Sequence, residues 1–411
     1  MPRLALATKI TPTMKLALLG AMLLGLTAGS ALADPAHYIL FNAPPDQWAD
    51  LFARVSTDFQ SPPTSPVRAG VGAIFSYLHY SHEALQADLR RFMKLSADND
   101  VPIVLQLDGE NWWGGRPDLW NWWDPTKPGY DPANASNVEW DGWGPDHALK
   151  IAWRNWGRQI RVDPPPNLMS PRYREACHQE LNIIVPIILD WWKSLPADKK
   201  YLFVGIKTGW EGSIGTSAFY YPHGNDLLDK PESQDPTTGF VAENPPSRGV
   251  ALIGYAAVST AGLRKSGEVT EADQAEIVRR HLEDLCRVQA KLGVPREKLF
   301  THTAGWKQGE LLYQSALNRY SCPGWSFYTH AEDPASDVGV QAALKRTDAP
   351  YWAAVEWLLF GPIERPRWRG VIDKYFADPK CRYICIYNWD AVRDWPGPMQ
   401  AIRDLCAGTA P

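Results

Sequence analysis

Two glutamates follow short apolar runs that are typical of β-strands. Glu211 ends the run YLFVGIKTGWE and Glu356 ends YWAAVE, so the two lie 145 positions apart. If both runs belong to one barrel of parallel strands, the two carboxylates lie at the same rim of that barrel. Hydrolysis of a glycosidic bond needs such a pair. One carboxylic acid protonates the leaving oxygen, while the other carboxylate attacks the anomeric carbon or activates a water molecule.

The residues beside each glutamate predict different roles. Gly209 and Gly212 leave little side-chain bulk around Glu211, and the adjacent indole of Trp210 could exclude water from its carboxyl group and raise the pKa, as a general acid requires. Glu356 follows Ala-Ala-Val in an apolar strand, where an unpaired charge would be costly. We therefore predict Glu211 as the acid/base and Glu356 as the nucleophile. The alternative for each is a salt-bridged structural glutamate near a strand end.

The elements that would position this pair follow a regular alternation. Helical patterns with apolar residues at steps of three and four lie between the apolar runs, at 83–97, 173–194, 271–292, 335–346 and 391–406. Eight strand-like runs can be counted, at 37–42, 69–78, 102–109, 201–210, 298–305, 324–331, 351–357 and 382–389. This alternation predicts an α/β fold, a (β/α)8 TIM barrel, with Glu211 and Glu356 at strands four and seven.

Two long insertions follow the predicted strands three and four, at 110–170 and 212–250. Loops at this end of such a barrel build the active site, so we expect the insertions to wall a cleft. Nine of the 20 tryptophans lie between positions 112 and 156, more than a core needs. We expect Trp112 and Trp113 to face the cleft. Trp153 and Trp156 lie in a helix-like segment at 146–160 and are expected to anchor that helix.

The chain resembles the large group of retaining glycoside hydrolases with (β/α)8 barrels, in which the acid/base glutamate ends strand four and the nucleophile ends strand seven. Two companions extend the resemblance. Tyr328 in SFYTH matches a tyrosine that often hydrogen-bonds the nucleophile, and Trp389 in YNW matches a tryptophan that floors the first sugar subsite. That group usually carries Asn directly before the acid/base glutamate, where this chain has Trp210. The resemblance identifies no individual family.

Further candidates for substrate binding are polar or aromatic residues that follow predicted strand ends. They could bind sugar hydroxyls or pack against the C–H face of a sugar ring. For Asp108 and Asn111 the alternative is a turn in which both cap backbone N–H groups, and Glu110 is a reserve catalytic carboxylate. A metal site built on His302 and His330 is the weaker alternative, so neither a metal nor a cofactor is expected. The candidates are Asp108, Asn111, Trp112, Trp113, Trp210, Tyr221, His302, His330, Tyr328 and Trp389.

The N-terminus predicts export. Residues 1–33 combine early basic residues, the apolar run LALLGAMLLGL and a small-residue site at Ala31-Leu32-Ala33, as in a secretory signal peptide. The alternative is an uncleaved anchor helix, and no later stretch could span a membrane. We therefore expect residues 34–411 to form a single barrel domain that is secreted or periplasmic. Six cysteines in an exported chain permit disulfides, with Cys177–Cys286 as the first candidate pair.

The net charge of −4, with scattered basic residues, excludes nucleic acid as an expected partner. The absence of a basic motif favours a neutral glycan or oligosaccharide as substrate. No G-x-S-x-G elbow supports serine hydrolase chemistry. The sequence therefore predicts an exported retaining glycoside hydrolase. The alternatives are an inactive barrel that only binds glycans and a polysaccharide lyase with His302 or Tyr328 as base.

Overall fold

Eight parallel strands form a closed barrel. The computed structural model describes residues 36–62, 64–156, 159–209, 211, 214, 218–236, 249–303, 311–328 and 330–409. Hydrogen-bonded neighbours run in the order β5-β4-β3-β2-β1-β8-β7-β6. Backbone bonds from Thr301 N to Cys322 O (3.0 Å) and from Ser326 N to Thr303 O (3.1 Å) close the ring between β5 and β6. The strands are β1 His37–Asn42, β2 Val67–Ser76, β3 Ile103–Asp108, β4 Phe203–Thr208, β5 Leu299–Thr301, β6 Gly324–Phe327, β7 Trp352–Trp357 and β8 Cys381–Ile386.

One helix follows each strand, which confirms the predicted (β/α)8 architecture. The helices are α1 Trp48–Asp58, α2 His82–Asn99, α3 Pro171–Ser194, α4 Glu271–Lys291, α5 Leu312–Ser315, α6 Val338–Arg346, α7 Arg365–Phe376 and α8 Pro396–Ala407. Shorter helices lie at Pro117–Trp120, Tyr255–Thr260 and Trp389–Val392. The hydroxyls of Ser81, Ser170 and Thr270 cap the starts of α2, α3 and α4, because the first N–H groups of a helix have no partner within it.

The predicted pattern missed three of these helices. In α1 the buried residues are Trp48, Leu51, Phe52 and Val55, a helical spacing that was present in the sequence. The helix α5 has only four residues, and α7 is rich in arginine, so their apolar signal is weak. None of the described helices has the length and apolar character that crossing a membrane requires.

The buried apolar residues form two layers, one inside the barrel and one between the barrel and its helices. Alternate residues of a strand point to opposite faces, so each strand contributes to both layers. In β7, Ala353 and Val355 belong to the inner layer, whereas Ala354 and Trp357 belong to the outer one. Residues Asp34–Pro411 form one compact unit.

The two insertions meet in a small antiparallel sheet. Ala152–Asn155 pairs with Gln159–Val162 on one side and with Ala218–Phe219 on the other. The helix expected at 146–160 is therefore wrong. Pairing with the second insertion, together with packing of Trp153 against Tyr221 at 4.8 Å, decides the local structure in favour of strands.

Indole N–H groups fasten the first insertion to backbone carbonyls. Trp113 donates to Pro164, Trp122 to Leu149 and Trp140 to Ala135, at 2.7–3.0 Å. A buried loop backbone needs such partners, because an unpaired carbonyl away from water is costly. These three of the nine tryptophans in the insertion therefore serve its own folding.

The six cysteines are free thiols, so the predicted Cys177–Cys286 bridge is not present. Cys177 contacts the hydroxyls of Tyr77 and Tyr173, whereas Cys286 lies beside Thr208. The two thiols thus point into different parts of the core although α3 and α4 are adjacent. Burial raises the pKa of each of these two thiols to about 12.

Candidate active site

Glu211 lies on a sharp turn directly after β4. Gly209 has φ +81° and Glu211 has φ +61°, both in the left-handed region. A Cβ atom at Gly209 would lie 2.6 Å from Leu282 Cδ2 and 2.7 Å from Glu110 Oε1, so only glycine fits there. A glutamate with positive φ costs about 1 kcal/mol, and such strain is concentrated at functional sites. The turn places the Glu211 carboxyl group against Ser326 of β6 and close to Glu356.

Glu356 owes its position to an irregularity in β7. Val355 faces the barrel interior, so strict alternation would send Glu356 outward among the helices. A register shift between Ala354 and Glu356 interrupts the pairing with β6, where Glu356 is matched with Ser326. Such a shift re-aims a side chain, and Glu356 accordingly lines the cleft at the barrel mouth.

Hydrogen bonds from neighbouring side chains hold the carboxyl groups of Glu211 and Glu356 close to each other. Trp156 Nε1 donates to Glu211 Oε2 at 2.9 Å, and Ser326 Oγ donates to Glu211 Oε1 at 3.1 Å. The Tyr328 hydroxyl donates to Glu356 Oε1. One oxygen of each glutamate and one nitrogen of His302 all lie within 4.8 Å of one another.

The same spacing would also suit a metal ion, and among the described residues this is the one such group of His, Cys, Asp and Glu. The hydrogen bonds from Ser326 and Tyr328 occupy one oxygen of each glutamate. Carboxyl groups oriented by neutral donors fit acid–base chemistry more closely than cation binding.

The electrostatic environment favours the protonated form of Glu211 and the neutral form of His302. Burial, and then the negative charge of Glu356, raise the pKa of Glu211 well above its ordinary value. Burial, and then the charge of Lys207, lower the pKa of His302 well below its ordinary value, so its imidazole is neutral. Lys207 is itself buried inside the barrel, and its Nζ donates to Val355 O at 3.2 Å. A protonated Glu211 beside a neutral histidine is the state that a general acid requires.

A cleft of about 980 Å³ opens from Glu356 across the barrel mouth. Its aromatic walls include Trp112, Trp156 and Tyr328, with Tyr80 and Phe360 more than half exposed at its rim. Among the described residues that line it, the acidic ones are Glu356, Asp88 and Asp390, and none is a lysine or arginine. The first insertion thus forms part of the cleft wall, as expected, whereas none of the described residues of the second insertion lines it.

Asp108 and Asn111 are buried, and Asp108 takes the turn role given above as the alternative. Asp108 Oδ1 accepts from the backbone N–H groups of Glu110 (2.9 Å) and Asn111 (3.3 Å). Ser76 Oγ donates to its other oxygen. Burial raises the pKa of Asp108 to about 6. Glu110 lies beside His281, with 3.2 Å between Glu110 Oε1 and His281 Nε2, and is likewise buried. Asp108, Glu110 and Asn111 do not line the cleft, although Ser76 does.

Several aromatic and histidine candidates also lie away from the cleft. Trp113 is buried against Tyr173, and the hydroxyl of Tyr221 donates to Gln159 Oε1 at 2.6 Å. His330 contacts the Tyr313 hydroxyl and does not belong to the group formed by Glu211, His302 and Glu356. Trp210 lies outside the described residues. Of the predicted substrate-binding residues, the structure brings Trp112 and Tyr328 to the cleft and His302 to the carboxylates.

Trp389 does not reach the cleft either. It begins the short helix after β8, its ring meets that of Phe41 edge-on at 5.1 Å, and Arg54 covers one face at 4.8 Å. The ring is 1% exposed. Tyr387 and Asn388, which precede it, line the cleft instead.

Replacing Trp389 with alanine should lower the free energy of unfolding by about 3 to 5 kcal/mol, because it would leave a large cavity in the core. The kcat/KM of the folded fraction should change little. Urea titration and kinetics would measure both, with Trp112→Ala as the matched control, which should lose activity and keep stability. A stable Trp389→Ala protein with a raised KM would return Trp389 to sugar binding.

Sequence reasoning missed two residues that hydrogen-bond Glu211 and one buried lysine whose charge acts on both glutamates. Trp156 was assigned to a helix, so its bond to Glu211 could not be foreseen. Ser326 lies in β6, two positions before Tyr328, which directly follows that strand, and the spacing could have revealed it. Lys207, a lone lysine in the apolar run of β4, was a visible signal of an inward-facing charge.

No protein-family model and no curated protein matches the sequence. Similar solved structures include a glycoside hydrolase family 5 enzyme from Prevotella bryantii B14, with 8% identity, a TM-score of 0.44, and coverage of 92% of this chain and 98% of that one. The catalytic domain of a β-amylase from Paenibacillus polymyxa has 8% identity, a TM-score of 0.49 and coverage of 92% and 100%. The catalytic domain of a family 26 endo-β-1,4-mannanase from Bacillus sp. JAMB-750 has 10% identity, a TM-score of 0.44 and coverage of 91% and 87%.

Proposed function

We propose that this chain is a glycoside hydrolase that cleaves a neutral glycan or oligosaccharide with retention of configuration. The observation that carries the proposal is the pair Glu211 and Glu356, which meet within 4.8 Å at the end of an aromatic cleft. Their two environments suit two different roles, one carboxyl group protonated and the other held by Tyr328.

The separation supports retention. Retaining enzymes hold their two carboxyl groups about 5 to 5.5 Å apart, whereas inverting enzymes need about 6.5 to 9.5 Å to admit a water molecule between carboxylate and sugar. One oxygen of Glu356 lies within 4.8 Å of one oxygen of Glu211, which favours the shorter arrangement, in which Glu356 attacks the anomeric carbon itself. The bond to the leaving oxygen breaks as Glu211 gives that oxygen its proton. Glu211 then takes a proton from water, which attacks the sugar and releases Glu356.

The cleft supports an uncharged substrate. Its aromatic side chains can pack against the C–H faces of sugar rings. Recognition of uronates or sulfated sugars would call for arginine or lysine, and neither lines the described part of the cleft. Export to the periplasm or the medium, directed by residues 1–33 as a signal peptide, completes the proposal.

The proposal is tested by incubating the purified protein with a panel of aryl glycosides and polysaccharides and measuring new reducing ends. Proton NMR of the first product should show the anomer of the substrate, and a chelator should not reduce the rate. A first product with inverted configuration would contradict the retaining mechanism. Binding of glycans without cleavage would favour the inactive barrel, and an unsaturated product would favour the lyase.

A further inference from the structure

A chain of hydrogen bonds links Glu211 to a buried histidine through a serine. Ser326 Oγ lies 3.1 Å from Glu211 Oε1 and 2.8 Å from His302 Nε2. The same nitrogen of His302 lies 3.7 Å from Glu356 Oε2. The three linked side chains come from or directly follow β4, β5 and β6. Both Ser326 and His302 are fully buried, so water does not compete for these bonds.

We propose that Ser326 and His302 form a bridge that positions the carboxyl group of Glu211 and stabilises its ionised form for the second half of the reaction. The inference rests on the proposed function, in which Glu211 must become a base. Both residues act through the carboxyl group of Glu211 and not on the substrate, so both are positioning residues.

The donor and acceptor in each of the two hydrogen bonds of Ser326 follow from the number of hydrogen atoms that the three side chains can share. Ionised Glu211 can only accept, so the single hydroxyl hydrogen of Ser326 must point to it. Ser326 can then only accept from its other neighbour, and Nε2 of the neutral His302 must donate. The histidine N–H thus polarises the serine hydroxyl, which strengthens its bond to the carboxylate.

The charges around Glu211 explain why such a bridge is needed. No lysine or arginine of the described chain lies within ion-pair distance of Glu211. The charged groups that face it are Glu356 from β7, Arg154 from the insertion sheet and Lys207 from β4, all acting at longer range. Ionised Glu211 must therefore be stabilised mainly by the neutral donors Trp156 and Ser326.

The closing experiment measures the pKa of Glu211 directly, because that measurement does not depend on hydrolysis. Protein labelled with ¹³C at the glutamate carboxyl groups is titrated by NMR, and the Glu211 signal is assigned with Glu211→Gln. Ser326→Ala should raise the pKa of Glu211 by about one unit, a tenfold change in its ionisation constant. His302→Ala should move it in the same direction by less, and the double variant should shift no further than Ser326→Ala alone.

Two controls separate this role from a structural one. Ser96→Ala removes another buried serine, whose hydroxyl bonds Val101 O at 2.7 Å, and should leave the Glu211 titration unchanged. Ser326→Thr keeps a hydroxyl and should restore the ordinary titration, which guards against a poorly folded alanine variant.

The kinetics give a second measurement. With an aryl glycoside whose leaving group needs no proton, Ser326→Ala should lower kcat about tenfold and lower KM, because the glycosyl-enzyme accumulates. Azide, which attacks without a base, should restore the rate. An unchanged Glu211 pKa in folded Ser326→Ala protein, or additive shifts in the double variant, would overturn the bridge. A shifted pKa in a protein that cleaves no glycan would instead leave the bridge in place and remove the proposed function.

Discussion

Replacing Glu356 with glutamine is expected to abolish turnover of every substrate, with a loss of about 10⁴-fold or more in kcat. The amide has nearly the same shape and can still accept a hydrogen bond from Tyr328, so the variant should fold and bind glycans. It cannot form the glycosyl ester, because an amide oxygen is a poor nucleophile. The measurement is kcat on the best aryl glycoside found in the panel, with thermal unfolding recorded in parallel.

The matched control is Glu283→Gln, on the exposed side of α4, where the side chain pairs with Arg279. This variant should keep the rate of the parent protein. Wild-type activity in Glu356→Gln would remove the nucleophile assignment. A mechanism-based fluoroglycoside that labels the protein should modify Glu356, and a label on Glu110 would place the chemistry at that buried carboxylate instead.

Replacing Glu211 with alanine is expected to have an effect that depends on the leaving group. Substrates with poor leaving groups should lose about 10² to 10⁴-fold in kcat/KM, the usual contribution of a general acid. An activated aryl group departs without a proton, so the first step should be spared and only the attack of water should slow. Added azide should therefore accelerate turnover and give a glycosyl azide of retained configuration.

The pH dependence of the parent protein should agree with these roles. Glu211 acts first as an acid, and its pKa is raised by burial and by Glu356. Below that pKa the group is protonated and competent, so kcat/KM should fall as the pH rises through it. In Glu211→Ala this alkaline fall should disappear for activated substrates. Equal losses on good and poor leaving groups, with no response to azide, would contradict the acid/base role.

The sequence by itself determined the architecture. Eight apolar runs with helical patterns between them could pair as a parallel barrel, because alternation of strand and crossover helix leaves few other arrangements. Strand order alone then placed Glu211 and Glu356 at one rim and the long insertions beside them. The same count of eight strands placed Tyr328 and Trp112 near strand ends, and both residues line the cleft.

Only the tertiary structure decided which side chains face the cleft. Trp389, Trp113 and Tyr221 have the residue types of sugar-binding groups, yet they are buried in the core or in the insertion, where apolar area is removed from water. Periodicity cannot distinguish these two destinations for an aromatic ring. Conversely, the pairing of two insertions distant in sequence placed Trp156 on Glu211.

The geometry of the carboxylates was also a tertiary result. The irregularity in β7 that turns Glu356 toward the cleft, and the left-handed turn that carries Glu211, depend on neighbouring strands and on contacts such as Gly209 with Leu282. The bridge joins His302, which the sequence singled out for other roles, to Ser326, which it did not single out. Sequence pattern records which face of an element is apolar, whereas hydrogen bonds between elements are set by how the closed barrel brings strand ends together.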